Sequence, residues 1–117
     1  MEVYGDRRGN APVAAYLQRL RAVRPAEAAS ILRYIDLLAE KGERLRMPYA
    51  TMIDKELRLY ELRPGNHRVA YALHHGDYVI LHAWRKTTQK LDQREASTAR
   101  KRLLDWRERH PEETRRR

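Results

Sequence analysis

The residues in this chain whose types and spacing could do chemistry are basic ones placed at the ends of apolar runs. Arg63 and Arg68 flank Pro64-Gly65-Asn66, a turn signature, so their side chains become neighbours if two strands pair across that turn. Trp84-Arg85-Lys86-Thr87-Thr88-Gln89-Lys90 follows a third apolar run. An extended backbone there aims Lys86, Thr88 and Lys90 the same way. Cations converging at one end of a small sheet make a cradle for phosphate. The reaction that suits such a cradle is RNA cleavage without a metal. A 2′-hydroxyl attacks the adjacent phosphorus, and negative charge gathers on the phosphoryl oxygens. Fixed cations stabilise that charge more in the transition state than in the ground state, and one such donor is worth about 10²–10³ in rate. Protons must also move. Lys86, Lys90, His82, Glu61 and Tyr71 are able to move them, and the sequence does not choose among them.

Other chemistries lack their residues. There is no cysteine, so neither disulfides nor thiolate metal sites enter. The histidines at 67, 74, 75, 82 and 110 have no metal-ligand spacing, and no glycine-rich phosphate loop is present. Neither a metal nor an organic cofactor is therefore expected. The chain has 117 residues and a net charge of +9, with a pI near 10.2. Such a protein seeks polyanions. The excess is uneven, because residues 85–117 carry 12 bases against 6 acids. No apolar stretch approaches the ~18 residues of a membrane span, and Met1–Asn10 has no apolar signal region. A cytoplasmic protein without membrane contact is the expectation.

Three kinds of element must position the cations. Pro12 suits the first turn of a helix, and Val13, Tyr16, Leu17, Leu20 and Val23 share one face of it. Pro25 stops that helix and opens a second, whose face carries Ala28, Ile31, Leu32, Ile35, Leu38 and Ala39 and which Gly42 closes. The period then changes. Residues 56–63, 67–74 and 78–84 read as an antiparallel meander with turns at Pro64-Gly65-Asn66 and His75-Gly76-Asp77, and residues 2–4 as a short edge strand. Asp92 and Glu95 have capping-box spacing before a helix with Ala96, Ala99, Leu103 and Trp106 on its apolar stripe. The expected class is α+β: two N-terminal helices packed on a three- to four-stranded antiparallel sheet, then a C-terminal helix. Residues 1–110 form one domain and 111–117 a basic tail.

The segments Leu57-Arg58-Leu59-Tyr60-Glu61-Leu62-Arg63, Arg68-Val69-Ala70-Tyr71 and Ile80-Leu81-His82-Ala83-Trp84-Arg85-Lys86-Thr87-Thr88-Gln89-Lys90, followed by Glu95 and Ala99, resemble the signature of HigB-like toxins. These form a phage-derived subgroup of the RelE/ParE superfamily. The resemblance runs from about Pro12 to Trp106. It implies a RelE-like α+β fold, ribosome-dependent cleavage of mRNA, and neutralisation by a cognate antitoxin, often of the helix-turn-helix type. By position, Arg63, Arg68, Lys86 and Lys90 match the motif's basic residues and are the expected catalytic set. Arg85, Thr88, His82 and Arg94 are the expected RNA contacts. The chain departs from the pattern in four places. Arg85-Lys86 stands for two lysines, Trp84 for phenylalanine and Leu91-Asp92 for Thr-Pro, and no tyrosine follows Tyr78. The last departure leaves the general base open. A gyrase-poisoning toxin of the ParE kind and a non-catalytic nucleic-acid-binding regulator are the competing readings.

Overall fold

The computed structural model describes residues 1–88 and 92–111, so all but the first residue of the expected basic tail lies outside the described residues. Pro12 and Pro25 each occupy the first turn of a helix, α1 (Pro12–Val23) and α2 (Pro25–Lys41), and Arg24 ends one as it starts the other. Gly42 closes α2 at φ +55°, where a Cβ would stand 3.3 Å from the Tyr78 hydroxyl, so both the backbone and the neighbour call for glycine. A single 3₁₀ turn, Gly42–Arg44, leads into the sheet. The strands are β1 (Glu2–Val3), β2 (Ala50–Asp54), β3 (Leu59–Leu62), β4 (His67–His74) and β5 (Asp77–Arg85), and α3 (Gln93–Arg109) follows.

The sheet has five strands in the order β1-β5-β4-β3-β2. Two features depart from the expected meander. β1 pairs with β5 in parallel, not antiparallel. β2 adds an antiparallel edge strand that carries no turn signal of its own. The expected strand over 56–63 shrinks to Leu59–Leu62 because a tight turn joins β2 to β3. Asp54 Oδ1 accepts from the Leu57 amide at 3.1 Å, and Arg58 takes φ +55°. The His75-Gly76 hairpin turn has both residues at positive φ, as a right-twisted two-residue loop requires.

Both faces of the sheet are covered, which is why β4 and β5 are apolar along most of their length. The hairpin α1–α2 packs one face through Val13, Ile31, Leu38, Leu62, Val69, Tyr71 and Ile80. Helix α3 packs the other through Ala99, Leu103 and Trp106 against Leu59, Ala70, Ala72, Val79 and Leu81. A bulge in β5 at Leu81, opposite Ala70 and Tyr71, shifts the alternation. Leu81, His82 and Trp84 therefore face α3, whereas Ile80, Ala83 and Arg85 face the hairpin. Asp92 caps α3 by accepting from the Arg94 amide at 2.9 Å. Glu95, the other half of the expected capping box, turns its carboxylate to His82 instead. No helix among the described residues is long and apolar enough to cross a membrane.

Candidate active site

The end of β3, the start of β4 and the end of β5 lie at one end of the sheet, by their antiparallel registers. Helix α3 begins there, so the strand ends stay open beside its N-terminus. Leu59, Glu61 and Arg63 follow the period of two along β3, and Arg68 is the register partner of Trp84. The result is a cleft of about 130 Å³ whose lining includes Glu61, Arg63, Arg68, Trp84, Lys86, Thr88 and Asp92. Strand pairing ends at Arg85, but the Lys86 amide still donates to Asn66 O at 2.7 Å, which holds Lys86 against the turn that carries the arginines.

Glu61 sits at the centre. Its carboxylate is 3.3 Å from Arg63 Nη1 and 3.7 Å from Arg68 Nε, and its side chain is only 7% exposed. Burial pushes the carboxyl up from the usual carboxylate range, against the pull of Arg68, Arg63 and Lys86. Arg68 is equally enclosed. Its Nη1 donates to Gly65 O at 2.9 Å and to His67 O at 2.7 Å, so the guanidinium clips the 64–67 turn shut. Burial and then Arg63 lower its pKa, though a guanidinium stays charged throughout the working range. Arg63 is 28% exposed and can meet a ligand while keeping its bond to Glu61. Three cations thus line the cleft against two carboxylates, Glu61 and Asp92. One carboxylate between two guanidinium groups and an ammonium can take a proton from a hydroxyl while the cations hold an adjacent anion.

The expected site residues divide. Arg63, Arg68, Lys86 and Thr88 come together in the cleft. Lys90 lies outside the described residues. Arg94 is exposed on the first turn of α3. Arg85 points to the other face of the sheet, where its Nη2 donates to Glu27 Oε1 at 3.0 Å. His82 lies under α3 with both ring nitrogens engaged. Arg102 Nη1 donates to its Nδ1 at 3.0 Å, so Nε2 carries the proton and donates to Glu95 Oε1 at 2.6 Å. Its ring stacks on Trp84, at 4.9 Å between centroids, and so backs the wall of the cleft. Tyr71 packs under the hairpin, on the face away from the cleft, with its hydroxyl pKa raised by burial. Of the five proton carriers that the sequence offers, Glu61 and Lys86 are the two found in the cleft among the described residues.

One supporting group escaped the sequence reading. His67 is 2% exposed; its Nε2 donates to Glu27 Oε1 at 2.7 Å and its Nδ1 meets the Tyr16 hydroxyl at 2.7 Å. The bond from His67, helped by Arg85 and Arg24, holds the Glu27 carboxyl below its usual value. One residue from each of α1, α2 and β4 is thereby tied together directly behind the turn that bears Arg68. Histidine, tyrosine and glutamate so far apart in the chain leave no local signal.

His82 makes one consequence measurable. Burial, seconded by Arg102, lowers its pKa below the ordinary 6.5, against the pull of Glu95. Below pH 6.5 the unfolded chain takes up a proton that the folded chain refuses, so stability is full above that value and falls as the pH drops through the window beneath it. Thermal melts from about pH 7.5 down to about pH 5 should show this loss, and His82→Gln should make it shallower. Identical slopes for the two proteins would show that His82 titrates normally.

Among the described residues no group of three or more His, Asp or Glu is placed to hold a metal. The family model of phage-derived Gp49-like proteins matches residues 18–104, and no curated protein matches the chain. The matched span takes in most of the helical hairpin, strands β2 to β5 and the greater part of α3, and with them every residue of the cleft; the chain belongs to the phage-derived Gp49-like family, a family of the RelE/ParE toxin type.

Proposed function

We propose that this protein is the toxin of a type II toxin–antitoxin pair, HigB-like in kind, and that it is a metal-independent endoribonuclease that cuts mRNA on the ribosome and so stops translation. The observation that carries this reading is the cleft itself, with Glu61 between Arg63 and Arg68 and Lys86 beside them. In the reaction Glu61 takes the proton of the attacking 2′-hydroxyl. Arg63 and Lys86 hold the non-bridging phosphoryl oxygens as charge grows there, and Arg68 keeps Glu61 and the turn in place. The oxygen leaving the phosphorus needs a proton, and Lys86 is the acid in reach. The net charge of +9 favours RNA as the polyanion. A cognate antitoxin of the helix-turn-helix type is the proposed protein partner, acidic where it covers the cleft.

Induced expression in a bacterial host tests this directly. Growth should stop, new 5′ ends should appear inside translated messages, and Arg63→Ala at equal protein level should abolish both. Cleavage in vitro on assembled ribosomes should persist when a chelator strips transition metals but leaves the magnesium that holds the ribosome together. Arrest with intact messages and a DNA-damage response would replace this reading with gyrase poisoning.

A further inference from the structure

A second cleft, of about 410 Å³, lies at the opposite end of β3 and β4. It is lined by Glu56, Arg58, Leu73, His74, His75, Gly76 and Arg107. Arg58 and His75 are the two non-glycine residues with positive φ among the described residues, both at φ +55°, and both line this cleft. Histidine tolerates that conformation better than most residues, and a His-Gly hairpin turn accounts for it. Arginine at the Lys55–Arg58 turn is different. Glycine or asparagine would take that conformation at lower cost, and an L side chain there costs about 1–2 kcal/mol. The fold does not need the Arg58 guanidinium, which is exposed. Strain retained for a side chain the fold does not use points to a ligand.

The surroundings say which ligand. Arg107 Nη2 donates to Leu57 O at 3.0 Å, which buttresses the strained turn and brings a second guanidinium to the cleft. His74 donates from Nε2 to His110 O at 2.7 Å and stacks on His75 at 3.9 Å, so two imidazoles stand in a fixed pair on the far wall. Glu56 is the one carboxylate in the lining. Two guanidinium groups against one carboxylate select an anion, with the imidazole pair beside them. The strand from Arg68 to His74 spans on the order of 20 Å. Side chains of α3 reach the β2–β3 connection at two points between the clefts. Arg100 and Arg107 lie two helical turns apart on that side of α3, the first paired with Asp54 at 2.8 Å and the second bonded to Leu57 O.

We propose that this second cleft binds a backbone phosphate of the same RNA strand whose scissile phosphate occupies the first cleft, several nucleotides away, with the strand spanning the roughly 20 Å between them. This rests on the nuclease reading for the identity of the polyanion, but its test reads binding alone. The probes are a labelled single-stranded RNA of twelve nucleotides and one of three, both 2′-O-methylated so that no 2′-hydroxyl can attack. Three stacked nucleotides cover only roughly 10 Å and cannot reach both clefts. Arg58→Gly should bind the twelve-mer about three- to tenfold more weakly at low salt and lower the slope of log affinity against log salt by about one phosphate contact. It should leave the three-mer's affinity unchanged. Its melting temperature should hold or rise, because glycine relieves the φ strain, and Arg58→Lys should restore most of the long probe's affinity. Unchanged affinity for the twelve-mer in a folded Arg58→Gly protein, or an equal loss for both probes, would overturn the second site and leave the cleavage chemistry at Glu61 untouched.

Discussion

Glu61→Gln is expected to lower cleavage by about 10²–10⁴, the usual contribution of a general base, while leaving the fold intact. The amide keeps the shape of the carboxyl and still accepts from Arg63, so the cations stay in place. What it cannot do is take a proton. The pH profile supplies the sharper readout. Burial raises the Glu61 carboxyl above its ordinary 4.5, so the wild-type rate should climb as the pH passes that raised value and level off above it. In the variant this limb should vanish and only the slow residual reaction supported by the cations remain. The same shift has a stability consequence of known sign. Between 4.5 and its raised value the folded chain holds a proton that the unfolded chain has lost, so stability falls as the pH rises through that window. A glutamine side chain has no such dependence, so the melting temperature of the variant should not show this fall as the pH rises through that window. Cleavage by Glu61→Gln at the wild-type rate, with the acid limb intact, would move the base to Lys86.

The two halves of this site differ in how far they could be read from the sequence. The pair Arg63 and Arg68 was legible because Pro64-Gly65-Asn66 announces a turn, and a turn makes its flanking residues neighbours. Lys86 and Thr88 were legible as a pair for a reason that proved partly different: the strand stops at Arg85, and a backbone bond to Asn66 takes over the positioning of Lys86. The centrality of Glu61 was present in the alternation of Leu59, Glu61 and Arg63, but a glutamate in a strand reads as solvated until the neighbouring chains bury it. The opposite fates of Arg85 and His82 depend on tertiary contacts that no local pattern carries. The chain does send them to two faces, yet only the packing of α3 and α2 decides that each meets a carboxylate there. The helices were the easiest elements, since Pro12, Pro25 and Gly42 punctuate clear periodic faces. β2 was the hardest. Five residues with a register irregularity between Met52 and Asp54 offer neither a sustained period nor a turn signal, and the strand exists because Leu59–Leu62 presents an edge for it. β1 is shorter still and is held by pairing with β5 and by Tyr4, whose hydroxyl donates to Asp105 at 2.7 Å.

Arg68 and Arg63 look equivalent in sequence, standing on either side of the same turn, and the structure gives them different work. Arg68→Ala removes an 8%-exposed guanidinium that bonds two carbonyls and helps neutralise a 7%-exposed carboxylate. Stripping one partner from a buried charged group costs about 3–5 kcal/mol, which for a domain of this size lowers the melting temperature by something of order 10 °C or more. Arg63→Ala exposes less and should cost under about 1 kcal/mol, in the range of a partly solvated ion pair. Activity should not follow this order. Both variants should lose about 10²–10³ in cleavage, measured at a temperature where each is folded, because in the proposed mechanism Arg63 meets the phosphate and Arg68 fixes the carboxylate that takes the proton. Arg68→Lys separates charge from shape. A lysine ammonium can reach Glu61 or the Gly65 and His67 carbonyls, but it lacks the separate Nε and Nη1 with which Arg68 meets both at once, so this variant should recover part of the stability and little of the rate. Equal melting temperatures for Arg63→Ala and Arg68→Ala would mean that the turn closes without its clip, and Arg68 would then have to be counted among the groups that touch the phosphate.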